Sequence, residues 1–461
     1  MAVFCFGPLP GETARVSVTT VKQKYAVAEF VRLVAGSPFR VQPFCPAFGT
    51  CGGCQVQHLG YPAQLAWKRD VVRNALERIG GFKGVDVRDA IGMGVPRNYR
   101  NKMSLVVEHR SPLPSIGFYK QRSHDVVPID ACPIVLPQLS DYIARLNAAR
   151  LDAEIADALE AARHVVARAA RSSGEAVFTV TTERPSDAVE KAAPALQARL
   201  PGVAGVTNSY ELSGENAILG RRQRPLSGKS EIEESIGGIR YRVSAASFFQ
   251  VNVEIVERIF EFMQRGLHVP RRIVDLYCGA GTFALFFARH GSGVYGVEEN
   301  PAAIAEANAN ARLNELQDRV RFQSARVEDA LGSPEGRDAL RRAQIVFLDP
   351  PRRGSDEATL AAIAAAGVPN VWYLSCDPAT LARDLKFLTA KGYRFGVVQP
   401  FDMFPQTGHV ETLVTLYSET GAARVTVEDA FEGAPPPAAW PVDDRFAYDR
   451  PEYPDFVIRE D

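Results

Sequence analysis

The stretch Val274-Asp275-Leu276-Tyr277-Cys278-Gly279-Ala280-Gly281-Thr282-Phe283 decides the fold of the C-terminal half of the chain. It reads as an apolar strand, a Gly-x-Gly turn and the opening of a helix. Glycine permits the sharp turn and lets the backbone come close to a ligand. The next apolar run, Val294–Glu298, ends in a carboxylate about 20 residues further on, where an acidic side chain can accept from ribose hydroxyls. Two ligands suit this arrangement, a dinucleotide or S-adenosylmethionine (SAM). A dinucleotide fingerprint asks for a third glycine near Phe283-Ala284, and none stands there. The pattern Asp-x-x-Cys-Gly-x-Gly with a later glutamate favours SAM.

Around this turn, short apolar runs alternate with helical stretches: Ile273–Tyr277, Val294–Glu298, Val320–Phe322, Ile345–Asp349, Val371–Ser375, Phe395–Pro400 and Glu411–Tyr417. Continuous apolar strands separated by helices predict βαβ units and a mostly parallel sheet covered on both faces. The fold class is therefore α/β, with a Rossmann-like C-terminal domain preceded by a helix over Val253–Leu267. Upstream, Ala14–Thr20 and Tyr25–Leu33 read as strands and Pro43–Gly60 as a Cys/Gly/Pro-rich loop. Tyr61–Gly80 reads as a helix with Leu65, Val72, Leu76 and Ile79 on one face, stopped by Gly80-Gly81. Residues 85–130 read as strands with basic residues interleaved, Leu139–Ala170 as helical, and 175–250 as strands plus one helix over Ser186–Leu200.

The 461 residues carry 53 Lys+Arg and 54 Asp+Glu, a net charge of −1. That balance conceals segregation. Residues 1–130 hold 17 basic and 9 acidic side chains, whereas residues 424–461 hold 4 basic and 10 acidic. A basic front is the sign expected of a surface that neutralises nucleic-acid phosphates. The acidic, Pro-rich tail lacks periodicity and reads as flexible or wrapped over the surface. No apolar run approaches the roughly 20 residues needed to span a bilayer, and the first residues lack a signal-peptide pattern. The expected setting is the cytoplasm.

Chemistry concentrates at three strand ends. Phe347-Leu348-Asp349-Pro350-Pro351-Arg352 follows the fourth strand, which places Asp349 at the carboxyl edge where open α/β sheets bind ligands. Amino-methyltransferases follow a similar Asp-Pro-Pro with an aromatic residue, but Arg352-Arg353 stand here. Leu374-Ser375-Cys376-Asp377-Pro378 puts a cysteine at a helix start, where the dipole is expected to lower its pKa. His409-Val410-Glu411 brings a carboxylate into the last apolar strand, a costly placement unless the group is used or paired. A thiolate, a carboxylate and a methyl donor suit C5 methylation of a pyrimidine: attack by Cys376 on C6 activates C5, and Glu411 removes the C5 proton.

The seven cysteines are too few for a disulfide scaffold. Four of them, Cys45, Cys51, Cys54 and Cys132, lie outside the sheet domain and suit either zinc or an iron–sulfur cluster. Three close cysteines and one remote one fit [4Fe–4S] better than paired zinc knuckles.

Taken together, the chain resembles the RNA uracil-5 methyltransferases of the RumA/RlmD and TrmA type. The matching stretches are Cys45-Pro-Ala-Phe-Gly-Thr-Cys-Gly-Gly-Cys-Gln55, Ser247-Phe-Phe-Gln-Val-Asn252, Asp275-Leu-Tyr-Cys-Gly-Ala-Gly-Thr-Phe283, Leu348-Asp-Pro-Pro-Arg352, Leu374-Ser-Cys-Asp-Pro378 and His409-Val-Glu411, in family order. The resemblance implies a [4Fe–4S] cluster on Cys45, Cys51, Cys54 and Cys132. It implies SAM contacts from Gln250, Tyr277, Thr282, Glu298 and Asp349, with Cys376 as nucleophile and Glu411 as base. Phe248 is the candidate to stack on a uracil extruded from its helix. Four segments are expected: a partial OB-like TRAM barrel over 1–42, a central α+β domain bearing the cysteines over 43–250, the catalytic domain over 251–420 and the tail over 421–461. The chain begins at what resembles the third strand of that barrel, Ala2–Phe6, and Ala325, with Glu328 and Asp329 nearby, stands where relatives read the adenine. The cysteine cluster implies the branch acting on 23S ribosomal RNA, with transfer RNA as the alternative and a monomer as the expected state. Two other readings are an RNA cytosine-5 methyltransferase, which would place a cysteine within 349–354, and a non-catalytic RNA-binding or redox-sensing relative.

Overall fold

The computed structural model describes residues 2–109, 113–214, 217–267 and 271–418. The catalytic sheet holds seven strands, β1 (Arg272–Leu276), β2 (Gly293–Glu298), β3 (Val320–Ser324), β4 (Ile345–Leu348), β5 (Asn370–Ser375), β6 (Tyr393–Phe401) and β7 (Glu411–Ser418), in the order β3-β2-β1-β4-β5-β7-β6. All neighbours are parallel except β7, which runs antiparallel to both β5 and β6. Each apolar run read from the sequence is one of these strands. The strand order reverses between β1 and β4, and in open sheets that switch point is where ligands bind.

Seven helices cover the sheet: α1 (Val253–Gln264), α2 (Thr282–Arg289), α3 (Pro301–Leu313), α4 (Val327–Gly332), α5 (Pro334–Arg342), α6 (Glu357–Ala366) and α7 (Pro378–Ala390). One face packs Phe260, Phe283, Phe286, Phe287, Phe347 and Trp372 into a single aromatic-rich core. The hairpin Glu231–Ile236/Ile239–Ser244 joins that core through Ile232, Ile236 and Tyr241, and the Tyr241 hydroxyl donates to the Thr282 carbonyl at 3.0 Å.

Upstream, a second seven-stranded sheet runs from Arg222–Gly228 through Val203–Tyr210, Ala176–Thr181, His164–Ala169, Lys102–Glu108 and Ser115–Tyr119 to Val126–Pro128. The expected helix over Leu139–Ala170 is thus corrected. Helices cover Pro137–Ala149 and Ala153–Glu160, but His164–Ala169 is a central strand, buried along its whole length. Alanine and arginine suit either state locally, and pairing with two neighbouring strands overrides helix propensity. The first residues form a three-stranded sheet, Ala2–Cys5, Thr13–Val21 and Tyr25–Ala35, which leaves Phe4, Val18, Val31 and Val34 exposed.

The helix read over Tyr61–Gly80 is α-helical over Tyr61–Ala75 and ends in a π-turn, Leu76–Gly80, with Gly81 left-handed beyond it. The wider turn rotates the last residues, so Val72 and Leu76 are buried while Ile79 is 46% exposed, contrary to the shared face expected for it. This helix docks on the catalytic domain. Its Lys68 is fully buried and pairs with the equally buried Asp402, while Lys68 Nζ also donates to the Phe404 carbonyl at 3.1 Å. The segment after it lies along the β6 edge, through Val87↔Val398 and Ile91↔Phe401 bridges, and so covers an otherwise open strand. The expected tail over 421–461 lies outside the described residues.

A buried charge stripped of its partner is strongly destabilising. Lys68→Met is expected to cost about 3–5 kcal/mol in urea unfolding, and Lys68→Met with Asp402→Leu to regain most of that loss.

Candidate active site

The three strand ends singled out in the sequence converge on one cavity of about 1170 Å³, large enough for a cofactor and a nucleobase together. Phe248, Gln250, Tyr277, Thr282, Glu298, Asp349, Cys376 and Glu411 all line it. Local physics explains each placement. Gly279 and Gly281 take positive φ of 54° and 84°, and a Cβ on Gly281 would press Ala307 and Phe322 at 3.3 Å. The space over Gly279 is open, so its backbone can approach a ligand. Glu298 at the end of β2 accepts from the Gly279 and Asn300 amides at 3.3 and 2.9 Å, which holds the carboxylate beside the turn. Tyr277 is itself left-handed at φ 66°, and its hydroxyl meets Ser355 Oγ at 3.1 Å.

Asp377 caps α7 by accepting from the Ala379 and Thr380 amides at 2.9 and 3.0 Å, which stations Cys376 just ahead of the helix. Asp384 within α7 accepts from the Ser355 amide at 2.8 Å and the Tyr373 hydroxyl at 2.6 Å, and Thr380 Oγ1 donates to the Arg352 carbonyl at 3.1 Å. The loop carrying Asp349 and Arg352 is thereby fastened to the helix that carries the cysteine.

The electrostatics correct one expectation. The Cys376 thiol is pushed up to about 11, first by burial and then by Glu411 and Asp349, with Arg352 and the cysteine's own amide opposing. The helix start is expected to lower the value, but enclosure and then two carboxylates raise it. Glu411 is 4% exposed and its carboxyl is held well above the usual range by burial and by Asp349. Burial raises Asp349 as well. Arg352, read in the sequence only as evidence against amino methylation, is the cation that favours both the Cys376 thiolate and the Glu411 carboxylate.

Sequence reading missed Asp275. It is 1% exposed, one strand over from Asp349, and both carboxyl oxygens lack a hydrogen-bond partner, so burial and the Asp349 charge raise its pKa. Its signal was the Asp of Asp-x-x-Cys-Gly-x-Gly, which the motif counted without asking what the carboxylate does. Around Phe248, Ser247 and Phe249 point inward while Phe248 stays 76% exposed at the cavity wall. Glu328 lines the cavity and pairs with Arg326, whereas Ala325 and Asp329 are not part of its wall.

The four upstream cysteines come together away from the cavity, as free thiols in mutual electrostatic range. Burial pushes Cys54 up to about 12, helped by Cys132, Cys51 and Cys45, and raises Cys51 and Cys132 in the same way. Among the described residues no three Cys, His, Asp or Glu side chains stand close enough to hold a single metal ion.

A reversing parallel sheet, a glycine turn with a glutamate tethered beside it and a thiol facing the same cavity match a SAM-dependent methyltransferase fold. The sequence model of the tRNA (uracil-5-)methyltransferase family matches residues 229–419. An uncharacterized RNA methyltransferase of Halalkalibacterium halodurans is 37% identical over 90% of this chain and 92% of its own. Another from Gloeobacter violaceus is 36% identical over 90% of this chain and 91% of its own. A tRNA (uracil-54, C5)-methyltransferase from Pyrococcus abyssi, solved with S-adenosyl-L-homocysteine, has a TM-score of 0.72, 26% identity and 90% and 95% coverage of the two chains. The chain belongs to the RNA uracil-5 methyltransferase family. It is a SAM-dependent enzyme acting on RNA. No helix among the described residues is long and apolar enough to cross a membrane.

A thiol raised this far is protonated at neutral pH. Alkylation of Cys376 by iodoacetamide is expected to speed up about tenfold per pH unit between pH 7 and 10, without a plateau in that range. Glu411→Gln removes a repelling charge and should raise the rate at fixed pH; a plateau near pH 8 in the unaltered protein would contradict the assigned electrostatics.

Proposed function

We propose that the enzyme methylates C5 of a specific uridine in a structured RNA, with Cys376 as nucleophile and Glu411 as base. One observation carries this reading: a free thiol and a buried carboxylate from two different strand ends share one cavity with the glycine turn. C5 of uracil is a weak nucleophile. The Cys376 thiol first gives its proton to solvent, and bond formation between the thiolate Sγ and C6 then moves the C5=C6 electron pair into an enolate over C5, C4 and O4. SAM, when bound, would supply an electrophilic methyl group to that carbon, the S–CH3 pair staying on sulfur as S-adenosylhomocysteine departs. Glu411 then takes the C5 proton, the C–H pair re-forms C5=C6, and the S–C6 pair leaves with Cys376 as thiolate. Arg352 supports the two anionic states that this cycle needs.

Gln250, Tyr277, Thr282, Glu298 and Asp349 are the residues we assign to SAM; the open space over Gly279 and the tethered Glu298 carboxylate suit its amino-acid and ribose parts. Phe248 is assigned to stack on the flipped base, because a phenyl ring left in water beside a cavity gains from a π-face to cover it. Residues 349–354 contain no cysteine, which disfavours cytosine-5 methylation.

The four upstream thiols fit a [4Fe–4S] cluster. Burial and the neighbouring thiols raise Cys51, Cys54 and Cys132, bound iron would supply the opposing positive charge, and a cluster spaces its thiolates wider than one ion does. Cys45, Cys51, Cys54 and Cys132 would hold it, outside the chemistry at Cys376. The basic residues 1–130 suit an RNA surface, and the four-cysteine motif supports 23S ribosomal RNA as the substrate. The likeness to the Pyrococcus abyssi enzyme favours a second reading, transfer RNA.

With labelled SAM and undermodified RNA, Cys376→Ala is expected to abolish incorporation, and Glu411→Gln to slow release by about a hundredfold or more while trapping a covalent protein–RNA adduct. Incorporation that survives Cys376→Ala would end the mechanism. Mapping 5-methyluridine in both RNA classes from a deletion strain separates ribosomal from transfer RNA. Protein purified without oxygen should contain about four iron atoms per chain and lose them, with their visible absorption, in Cys54→Ala; zinc without iron would refute the cluster.

A further inference from the structure

The segment that delivers the Glu411 carboxylate is residues 402–410, and its own sheet does not shape it. Its restraints come from residues far upstream in the chain. The Asp402 amide donates to the Ile91 carbonyl at 2.8 Å, the Met403 carbonyl accepts from Asn252 Nδ2 at 3.1 Å, and the Pro405 carbonyl accepts from the Tyr99 hydroxyl at 3.1 Å. The densest of these ties is Gln406. It is 3% exposed and sits at φ +70°, a conformation that side-chain-bearing residues rarely adopt and that persists only where the surroundings enforce it.

What enforces it is the cysteine loop. The Gln406 carbonyl accepts from the Gln55 and Val56 amides at 3.0 and 3.1 Å, immediately after Cys54. Gln64, 1% exposed, grips both ends of the same residue: its Oε1 accepts from the Gln406 amide at 3.1 Å and its Nε2 donates to Gln406 Oε1 at 2.9 Å. The Gln55 side chain then spans the gap. Its Nε2 donates to the Gly52 carbonyl, between Cys51 and Cys54, at 2.8 Å, and its Oε1 accepts from the Gly408 amide at 3.3 Å. Gly408 lies three residues before Glu411. Two buried amides exchanging hydrogen bonds cannot shift independently without stranding donors in a dry interior.

We propose that Gln55, Gln64 and Gln406 are positioning residues through which the cysteine loop sets the Glu411 base, so that a loosened cysteine loop slows proton removal rather than SAM binding. The inference rests on the reading of Glu411 as base and of the four cysteines as cluster ligands. Thiolate attack and methyl transfer belong to the β4, β5 and glycine-turn side of the cavity, which the amide bridge does not touch. A slack base therefore leaves the methylated adduct formed and unresolved. This predicts a kinetic signature that general destabilisation does not share.

The test compares Gln55→Leu, which loses both side-chain bonds, with Gln55→Glu, which keeps an acceptor for the Gly408 amide, and uses Glu411→Gln as the reference trap. Gln55→Leu is expected to keep the iron content and SAM affinity of the parent, to turn over about tenfold to a hundredfold more slowly, and to accumulate a methylated protein–RNA adduct that survives denaturing gels. Gln55→Glu should restore turnover and clear the adduct. In Cys51→Ser, hydrogen exchange at the Gln406 and Gly408 amides should accelerate while the amides of β1, β4 and β5 stay as slow as before. If Glu411→Gln traps an adduct but Gln55→Leu traps none, or loses SAM affinity in step with turnover, the positioning role is overturned. Unchanged exchange over 402–411 in Cys51→Ser overturns the link to the cysteines. Absence of an adduct with Glu411→Gln itself overturns the assignment of the base, and the inference with it.

Discussion

Three acid groups crowd one pocket, the Cys376 thiol and the Asp349 and Glu411 carboxyls: burial raises all three, both carboxylates also raise the thiol, and Asp349 raises Glu411. Burying any one of them is costly, and burying three together is tolerable only if few are charged at once. Much of the architecture answers that constraint. A strand-order reversal gathers the groups at one edge, Asp384 and Asp377 lock the loops that bear two of them, and the exposed Arg352 supplies the opposing charge.

Enclosing such a pocket requires walls that the catalytic sheet does not supply. The N-terminal half provides one in the Ser247-Phe248-Phe249-Gln250 segment, whose Phe248 faces the cavity while Phe249 is buried. Away from the cavity, its first helix sets the Lys68 ammonium against Asp402 and the segment after that helix extends the β6 edge. The central sheet anchors that segment through Arg168, whose Nη2 donates to the Ser247 carbonyl at 2.8 Å. RNA-facing and methyl-transferring parts are thus assembled around a single cavity rather than joined as separate modules.

Much of this was legible in the chain. β1 to β7 announced themselves because strands buried on both faces must be apolar throughout, and few other elements look like that. Cys376, Asp349 and Glu411 were legible because reactive groups at strand ends have little structural reason to be there. His164–Ala169 was not, since its partners lie tens of residues away and its composition is neutral between helix and strand. The direction of the Cys376 shift was misread for a related reason. The helix start is written next to the cysteine, whereas the burial that raises the thiol, and the two carboxylates that add to it, come from other strands.

The sequence by itself determined the order of elements, the glycine turn and which polar groups stand at the strand ends, because those depend on local backbone freedom and on the pattern of apolar residues. Tertiary structure alone decided which of those groups share a proton environment and what holds the Glu411 loop in place. Gln55, Gln64 and Gln406 look like ordinary polar residues in the chain. Only folding brings the first two against the third across more than half of the sequence, and only burial makes their amide contacts costly to break.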